Sequence, residues 1–228
     1  MPNAFFLKVS GEKAILDSAE THHLRVMRSR EGDTLTGIDG MGFIYAFVLE
    51  RISKTEASGR IIKREFIQRD QREIIIAVAS TKWPRLRIIL EKATELGVDT
   101  IELFESKRSV VKLEEGKLTR HEQVIREASK QSVNPYLPEI RLVKKPVLED
   151  AFNILLDFGG TSLNSVSKTL ELQRRVRIIV GPEGGFSPEE IREFSSKSTK
   201  VSLGRRTLRV ETSIIVTLGI INAYTGRM

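Results

Sequence analysis

The chain contains no cysteine. That excludes disulfides, thiolate nucleophiles and zinc–sulfur sites, so any chemistry must run on other groups. Histidine is nearly as scarce: His22, His23 and His121 are the only three. None stands beside an acidic cluster in the sequence, which argues against a metal site. No apolar run approaches the roughly 18 residues of a membrane span, and the first residues lack the apolar stretch of a signal peptide. The expectation is a cytoplasmic protein with no membrane partner. Two phosphate-binding signatures are missing as well. The glycine-rich stretch at Gly181–Gly185 has no Lys-Ser/Thr after its second glycine, as a P-loop would. It also lacks the Gly-x-Gly-x-x-Gly spacing of a dinucleotide site.

What is present suits a folded chain. The 228 residues are 40% hydrophobic and 29% charged, enough apolar material for a sizeable core. The net charge of +7 is unevenly placed: residues 1–70 carry 11 Lys/Arg against 10 Asp/Glu, whereas 71–228 carry 26 against 20. A basic excess in the second part favours a polyanionic partner.

The hydrophobic period changes along the chain. Ala4–Val9, Thr34–Ile38, Phe43–Leu49 and Arg60–Phe66 read as short strands, the middle two flanking the hairpin signal Asp39-Gly40-Met41-Gly42. This predicts a small antiparallel barrel or sandwich over residues 1–70, with a linker near 67–72. From Glu73 the run Ile74-Ile75-Ile76-Ala77-Val78-Ala79 is continuously apolar, as in a parallel strand covered on both faces. Leu86, Ile89, Leu90, Ala93 and Leu96 follow at helical spacing, and Gly97 is placed to cap that helix. Thr100–Phe104 is a further strand, His121–Ser132 a helix, and Ile154–Asp157 a short strand ending near Gly159-Gly160. Alternation of this kind predicts a parallel α/β domain over 71–228.

Two strand-like runs, Val176–Val180 and Thr199–Leu203, each end directly on a glycine. In an open α/β sheet ligands bind beyond the carboxyl ends of parallel strands, and glycine lets the backbone approach them. Val180, Gly181, Pro182, Glu183, Gly184, Gly185 and Phe186 from one loop, and Leu203, Gly204, Thr207 and Leu208 from the other, are therefore candidate pocket residues, with Leu156 and Asp157 as a further wall. Read alone, the first loop is also what a plain strand-to-helix turn looks like. Ser187, Pro188 and Glu190 fit the N-cap, N1 and N3 positions of a capping box, and Phe186 and Ile191 a hydrophobic staple. Arg205, Arg206 and Arg209 are either a solvated basic face or contacts to a polyanion. Glu211 is either a first-turn acid serving a helix dipole or a proton acceptor. Glu183 either caps local N–H groups or meets a ligand. Thr212–Tyr224 is apolar nearly all round, which calls for cover on every side.

The stretches Gly181-Pro182-Glu183-Gly184-Gly185-Phe186-Ser187 and Leu203-Gly204-Arg205-Arg206-Thr207-Leu208-Arg209-Val210-Glu211-Thr212 resemble the C-terminal part of the SPOUT class of S-adenosylmethionine-dependent RNA methyltransferases, and within it the RsmE family. The likeness extends to His22–Arg28 and Glu91–Val98. Thr207 and Val210 depart from the aliphatic residue and the threonine usual there, and Asn134 stands near where many relatives carry arginine. The resemblance implies a PUA-like, RNA-binding barrel ahead of a knotted, homodimeric methyltransferase domain. It implies S-adenosylmethionine as cofactor and N3 of a uridine in 16S ribosomal RNA of the small subunit as target. A uracil N3 anion calls for a fixed, forked cation, which makes Arg209, just past the second loop, the candidate catalytic group, with Glu211 a weaker candidate for proton acceptor. Another SPOUT activity (ribose 2′-O or guanine N1 methylation) and a non-catalytic RNA-binding assembly factor are the rival readings.

Overall fold

The computed structural model describes residues 4–227. It divides into two compact units. One runs to Arg69 and also takes in Arg126–Leu137; the other comprises Asp70–Ile125 and the chain from Pro138 onward.

The first unit is a six-stranded sheet built from β1 (Phe5–Phe6), β2 (Lys8–Ser10), β3 (Lys13–Leu16), β4 (Thr34–Ile38), β5 (Phe43–Ile52) and β6 (Ala57–Phe66), ordered β1-β4-β5-β6-β3-β2. The β4–β5 hairpin turns where its sequence signal lies. The Asp39 carboxylate accepts hydrogen bonds from the N–H groups of Met41 and Phe43 at 2.8 and 3.1 Å, fixing the turn. The sheet is not wholly antiparallel, because β1 runs parallel to β4. Ala4–Val9 is accordingly two strands and not one. Phe5, Phe6 and Leu7 are buried and β1 pairs with β4, whereas Lys8–Ser10 are exposed and pair with β3. A helix that the strand pattern did not reveal, α1 (Ser18–Val26), follows β3; Asp17 caps it by accepting from Glu20 N–H at 2.9 Å. Its buried Glu20 pairs with buried Lys130 at 3.3 Å, so neither charge is left alone away from water.

The second unit holds β7 (Glu73–Ala79), α2 (Trp83–Glu95), β8 (Thr100–Phe104), most of α3 (Leu118–Ser132), β9 (Glu139–Leu142), β10 (Phe152–Ser162), α4 (Ser167–Leu172), β11 (Arg175–Val180), α5 (Pro188–Ser195), β12 (Thr199–Ser202) and α6 (Val210–Thr225). The sheet order is β12-β10-β11-β7-β8-β9, and every ladder in it is parallel. Ile74 through Ala79 are completely buried, as their unbroken apolar run predicts. Each large side chain among them contributes on the order of 1.5–3 kcal/mol by leaving water. The helix before Gly97 ends as expected, with Gly97 at φ 73° just past the Leu96 cap.

Arg177 of β11 is 1% exposed. It reaches across β7 to Glu102 of β8 at 3.1 Å and also meets Asp150 at 2.6 Å. A buried guanidinium needs such partners, and here they lock β11 in register beneath the loop it carries.

Strand β10 is longer than its apolar run suggests. Leu156 and Thr161 both stand opposite Val201 of β12, so residues 157–160 loop out of the ladder. Gly160 makes this possible: a Cβ there would lie 2.4 Å from the Val201 nitrogen. Helix α6 packs against α2 and α4, but within one chain it is not covered on every side. Val216 is exposed, and Ile215 and Ile220 are half-buried.

Candidate functional site

The carboxyl ends of β10, β11 and β12 open onto one cavity of about 350 Å³. That volume lies within the ordinary range for small-molecule sites. Its walls are the candidate pocket residues almost in full: Leu156 from β10; Val180, Gly181, Pro182, Glu183, Gly185 and Phe186 after β11; and Leu203, Gly204, Thr207 and Leu208 after β12. Arg206, Arg209, Val210 and Ser213 line it where α6 begins, and Asp157 and Phe158 where β10 bulges. Gly184 is not among the lining residues. A Cβ on it would point at the side chain of Arg108, 3.6 Å away.

The loop after β11 is held from several directions. Ser187 caps α5, its N–H donating to Glu190 at 2.8 Å while its hydroxyl accepts from the Glu190 N–H at 3.3 Å. The other oxygen of Glu190 accepts from the Lys107 N–H at 2.8 Å, and Arg108 donates to the Gly184 carbonyl at 3.0 Å. Phe186 lies stacked on Phe104 and edge-on to Phe194, with centroids 6.2 and 5.1 Å apart. This stapling turns a glycine-rich segment into a preformed wall.

Glu183 is tied down by side chains that sequence reasoning did not single out. Thr81 donates its hydroxyl to the Glu183 carboxylate at 2.7 Å, and Arg85 of α2 hydrogen-bonds the same oxygen. Partial burial pushes the Glu183 pKa up, but the hydrogen bonds from Thr81 and Arg85 outweigh it and hold the carboxyl below its ordinary value. Arg85 also approaches Glu211, at 4.0 Å. The signal for Thr81 and Arg85 was available in the chain. They follow the carboxyl end of parallel strand β7, at the sheet edge where the glycine loops lie.

The loop after β12 is lightly held. The Gly204 N–H donates to the Ser202 hydroxyl at 3.3 Å, and Arg205, Arg206, Thr207 and Arg209 are exposed. Gly204 has φ +117°, a conformation L side chains avoid, and a Cβ there would meet nothing within 4 Å.

The two candidate catalytic residues part company. Arg209 is the N-cap residue of α6, with extended backbone, an exposed side chain and a place in the cavity wall. Glu211 is buried in the first turn of α6 and is not among the lining residues. Its Oε2 has no hydrogen-bond partner and lies beside Arg85. Among the described residues no group of His, Cys, Asp and Glu could hold a metal ion, and no helix is long and apolar enough to cross a membrane.

Comparison with known proteins agrees with this architecture on both units. A family model described as an RNA methyltransferase domain matches residues 68–222, and one described as an RNA methyltransferase PUA domain matches 16–62. The ribosomal RNA small subunit methyltransferase E of Aquifex aeolicus is 33% identical, covering 92% of this chain and 94% of its own length. The protein of the same name from Synechocystis is 27% identical over 96% of this chain and 78% of its own length. Among solved structures, a predicted RNA methyltransferase of Thermotoga maritima superposes with a TM-score of 0.82 at 30% identity over the whole of both chains. A methyltransferase of Legionella pneumophila in complex with the cofactor S-adenosylmethionine superposes with a TM-score of 0.86 at 27% identity over 98% of each.

Proposed function

The chain belongs to the ribosomal RNA small subunit methyltransferase E family, and from that premise we propose that it transfers a methyl group from S-adenosylmethionine to N3 of a uridine in 16S ribosomal RNA. The observation that carries this reading is the glycine-lined cavity at three parallel strand ends, with a helix N-terminus and Arg85, Arg206 and Arg209 in its wall.

The cavity fits the cofactor in chemistry as well as size. Leu156, Val180, Phe186, Leu203 and Leu208 offer apolar walls to a purine and an aliphatic chain. Gly204 leaves backbone uncovered where a polar edge needs hydrogen bonds. When bound, S-adenosylmethionine supplies an electrophilic methyl on a sulfonium.

The remaining chemistry falls to the chain. N3 of uracil bears an imide proton that must leave before the nitrogen becomes a nucleophile, and the resulting charge spreads to O2 and O4. Arg209 is suited to stabilise that charge, being permanently cationic with forked donors. It stands at the positive end of the α6 dipole, which acts in the same direction. Glu211 is the weaker candidate for the proton. Its approach to Arg85 and its absence from the cavity wall favour a role in bracing the site. The substrate itself implies work in the cytoplasm. Residues 71–228 carry a net +6 against +1 for residues 1–70, which supports placing most phosphate neutralisation in the second part.

The uncovered face of α6, with Val216 exposed and Ile215 and Ile220 half-buried, supports a homodimer of C₂ symmetry. Sedimentation at micromolar concentration should give twice 25.8 kDa. The decisive test of the reaction combines calorimetric titration with S-adenosylmethionine and mass spectrometry of ribosomal RNA from a deletion strain. A missing N3-methyluridine in 16S RNA is expected. An intact modification profile overturns the assignment.

A further inference from the structure

We infer that Phe158 is the stacking platform on which the target pyrimidine base of the RNA is seated, an inference that rests on the reading of the cavity as a methyl-transfer site. Phe158 is 68% exposed. It is nevertheless part of the cavity wall, which Asp157 and Arg206 also line.

Its presentation is built into the fold. Residues 157–160 are looped out of the β10–β12 ladder, with Leu156 and Thr161 sharing Val201 as partner. The loop is pinned at both ends. The Asp157 carboxylate accepts from the Gly159 N–H at 2.8 Å, and Gly160 lies where any Cβ would collide with the Val201 backbone. Such a braced bulge re-aims a side chain that a regular strand would direct into the sheet's covered face. Because this exposed ring lines a cavity, it offers a planar apolar face to whatever enters it.

The surroundings select the kind of ligand. Arg205, Arg206 and Arg209 are exposed beside or along the same rim, so a polyanion is drawn to it. A flat aromatic face and cationic side chains lining one cavity are the elements that hold an unstacked nucleotide, with base on ring and phosphate on guanidinium. A base must leave its stack before an enzyme can act on a ring atom, and the opened base needs a new stacking partner. Phe158 supplies one at the mouth of the cavity.

The test uses the full-length protein and unmethylated small ribosomal subunits, with variants Phe158→Ala, Phe158→Leu and Phe158→Trp. A residue this exposed can be replaced without disturbing the core, and thermal unfolding of each variant checks that. Single-turnover methylation is followed against subunit concentration at saturating S-adenosylmethionine. Phe158→Ala should raise the half-saturating subunit concentration about tenfold, the scale of one lost base–aromatic stack. Phe158→Trp should stay within about twofold of wild type, and Phe158→Leu should resemble Phe158→Ala, because stacking needs a planar face. Calorimetric affinity for S-adenosylmethionine and the sedimentation coefficient should not change. Wild-type behaviour of Phe158→Ala or Phe158→Leu overturns the inference. So does loss of cofactor affinity, which makes Phe158 a cofactor wall, or loss of self-association, which makes it a subunit contact. Failure of the wild-type protein to methylate the subunits instead sinks the methyltransferase reading itself, with cofactor binding as the independent check.

Discussion

Two loops wall the same cavity, yet they are held in opposite ways. The loop after β11 is gripped by a capping box, a stacked phenylalanine, the Lys107 backbone, Arg108, Thr81 and Arg85. For the loop after β12, the hydrogen bonding among the described residues amounts to the exchange between Ser202 and Gly204 before α6 begins. The difference divides the labour. The first loop is a fixed surface whose side chains mostly face the protein, whereas the second keeps its basic side chains free for whatever enters. A site for a small cofactor and a large polyanion needs both: one wall shaped in advance, the other with charge left unpaired in the free protein.

The largest effect should come from the lightly held loop. Arg209→Ala is expected to lower single-turnover methylation at least about a hundredfold, the scale of removing one preorganised electrostatic donor, while cofactor affinity changes little. A rate within a few-fold of wild type would reduce Arg209 to a docking residue. Next is Gly204→Val, which places methyl groups on the cavity side and forces a β-branched residue to φ +117°. The strain falls on the folded protein, whereas the added methyl groups would occupy ligand space, so calorimetric binding of S-adenosylmethionine should be abolished while the fold is retained. Unchanged affinity in a folded protein would show that the open side of Gly204 is not ligand space.

The braced loop should respond in stability more than in turnover. Ser187→Ala removes the cap of α5 and should cost about 1 kcal/mol, visible as a melting temperature lower by about 2–4 °C. A larger loss of methylation than of stability would mean that the brace also tunes the chemistry. The smallest effect concerns Glu183. Its pKa is held below the ordinary carboxyl value, so the unfolded chain takes up its proton first as pH falls. The stabilisation is therefore complete above the unfolded value, near 4.5, and is lost as pH drops through the lower folded value. Urea midpoints of wild type and Glu183→Gln should differ by a constant amount above about pH 5 and converge in more acid solution. Parallel curves throughout would show that the bonds from Thr81 and Arg85 do not favour the charged form.

Much of this was legible in the chain because it is written in short-range chemistry. Ser187-Pro188-Glu189-Glu190 specifies a helix start by local hydrogen bonding alone, and the structure forms it. The run from Ile74 to Ala79 can only be a strand covered on both faces. Gly181 and Gly204 both line the cavity, one directly after β11 and the other two residues past the end of β12. Helix α1 was not legible: with Leu24 as its one fully buried apolar residue, its pattern is too weak to read. β9 and α4, four and six residues long, were missed for the same reason.

The sequence by itself determined the long, strongly patterned strands and helices, the main turns, and the two glycine loops as candidate walls of a site. Those choices depend on side-chain periodicity and on backbone freedom at single residues. Only the tertiary structure decided that Arg85 from α2 grips Glu183 and approaches Glu211, about 100 and 125 residues away. The same holds for Gly184 turning to Arg108 and for a four-residue bulge lifting Phe158 to the rim. Each of these follows from which strands become neighbours. Strand order is fixed by the packing of the whole sheet, so a window of ten or twenty residues carries no record of it.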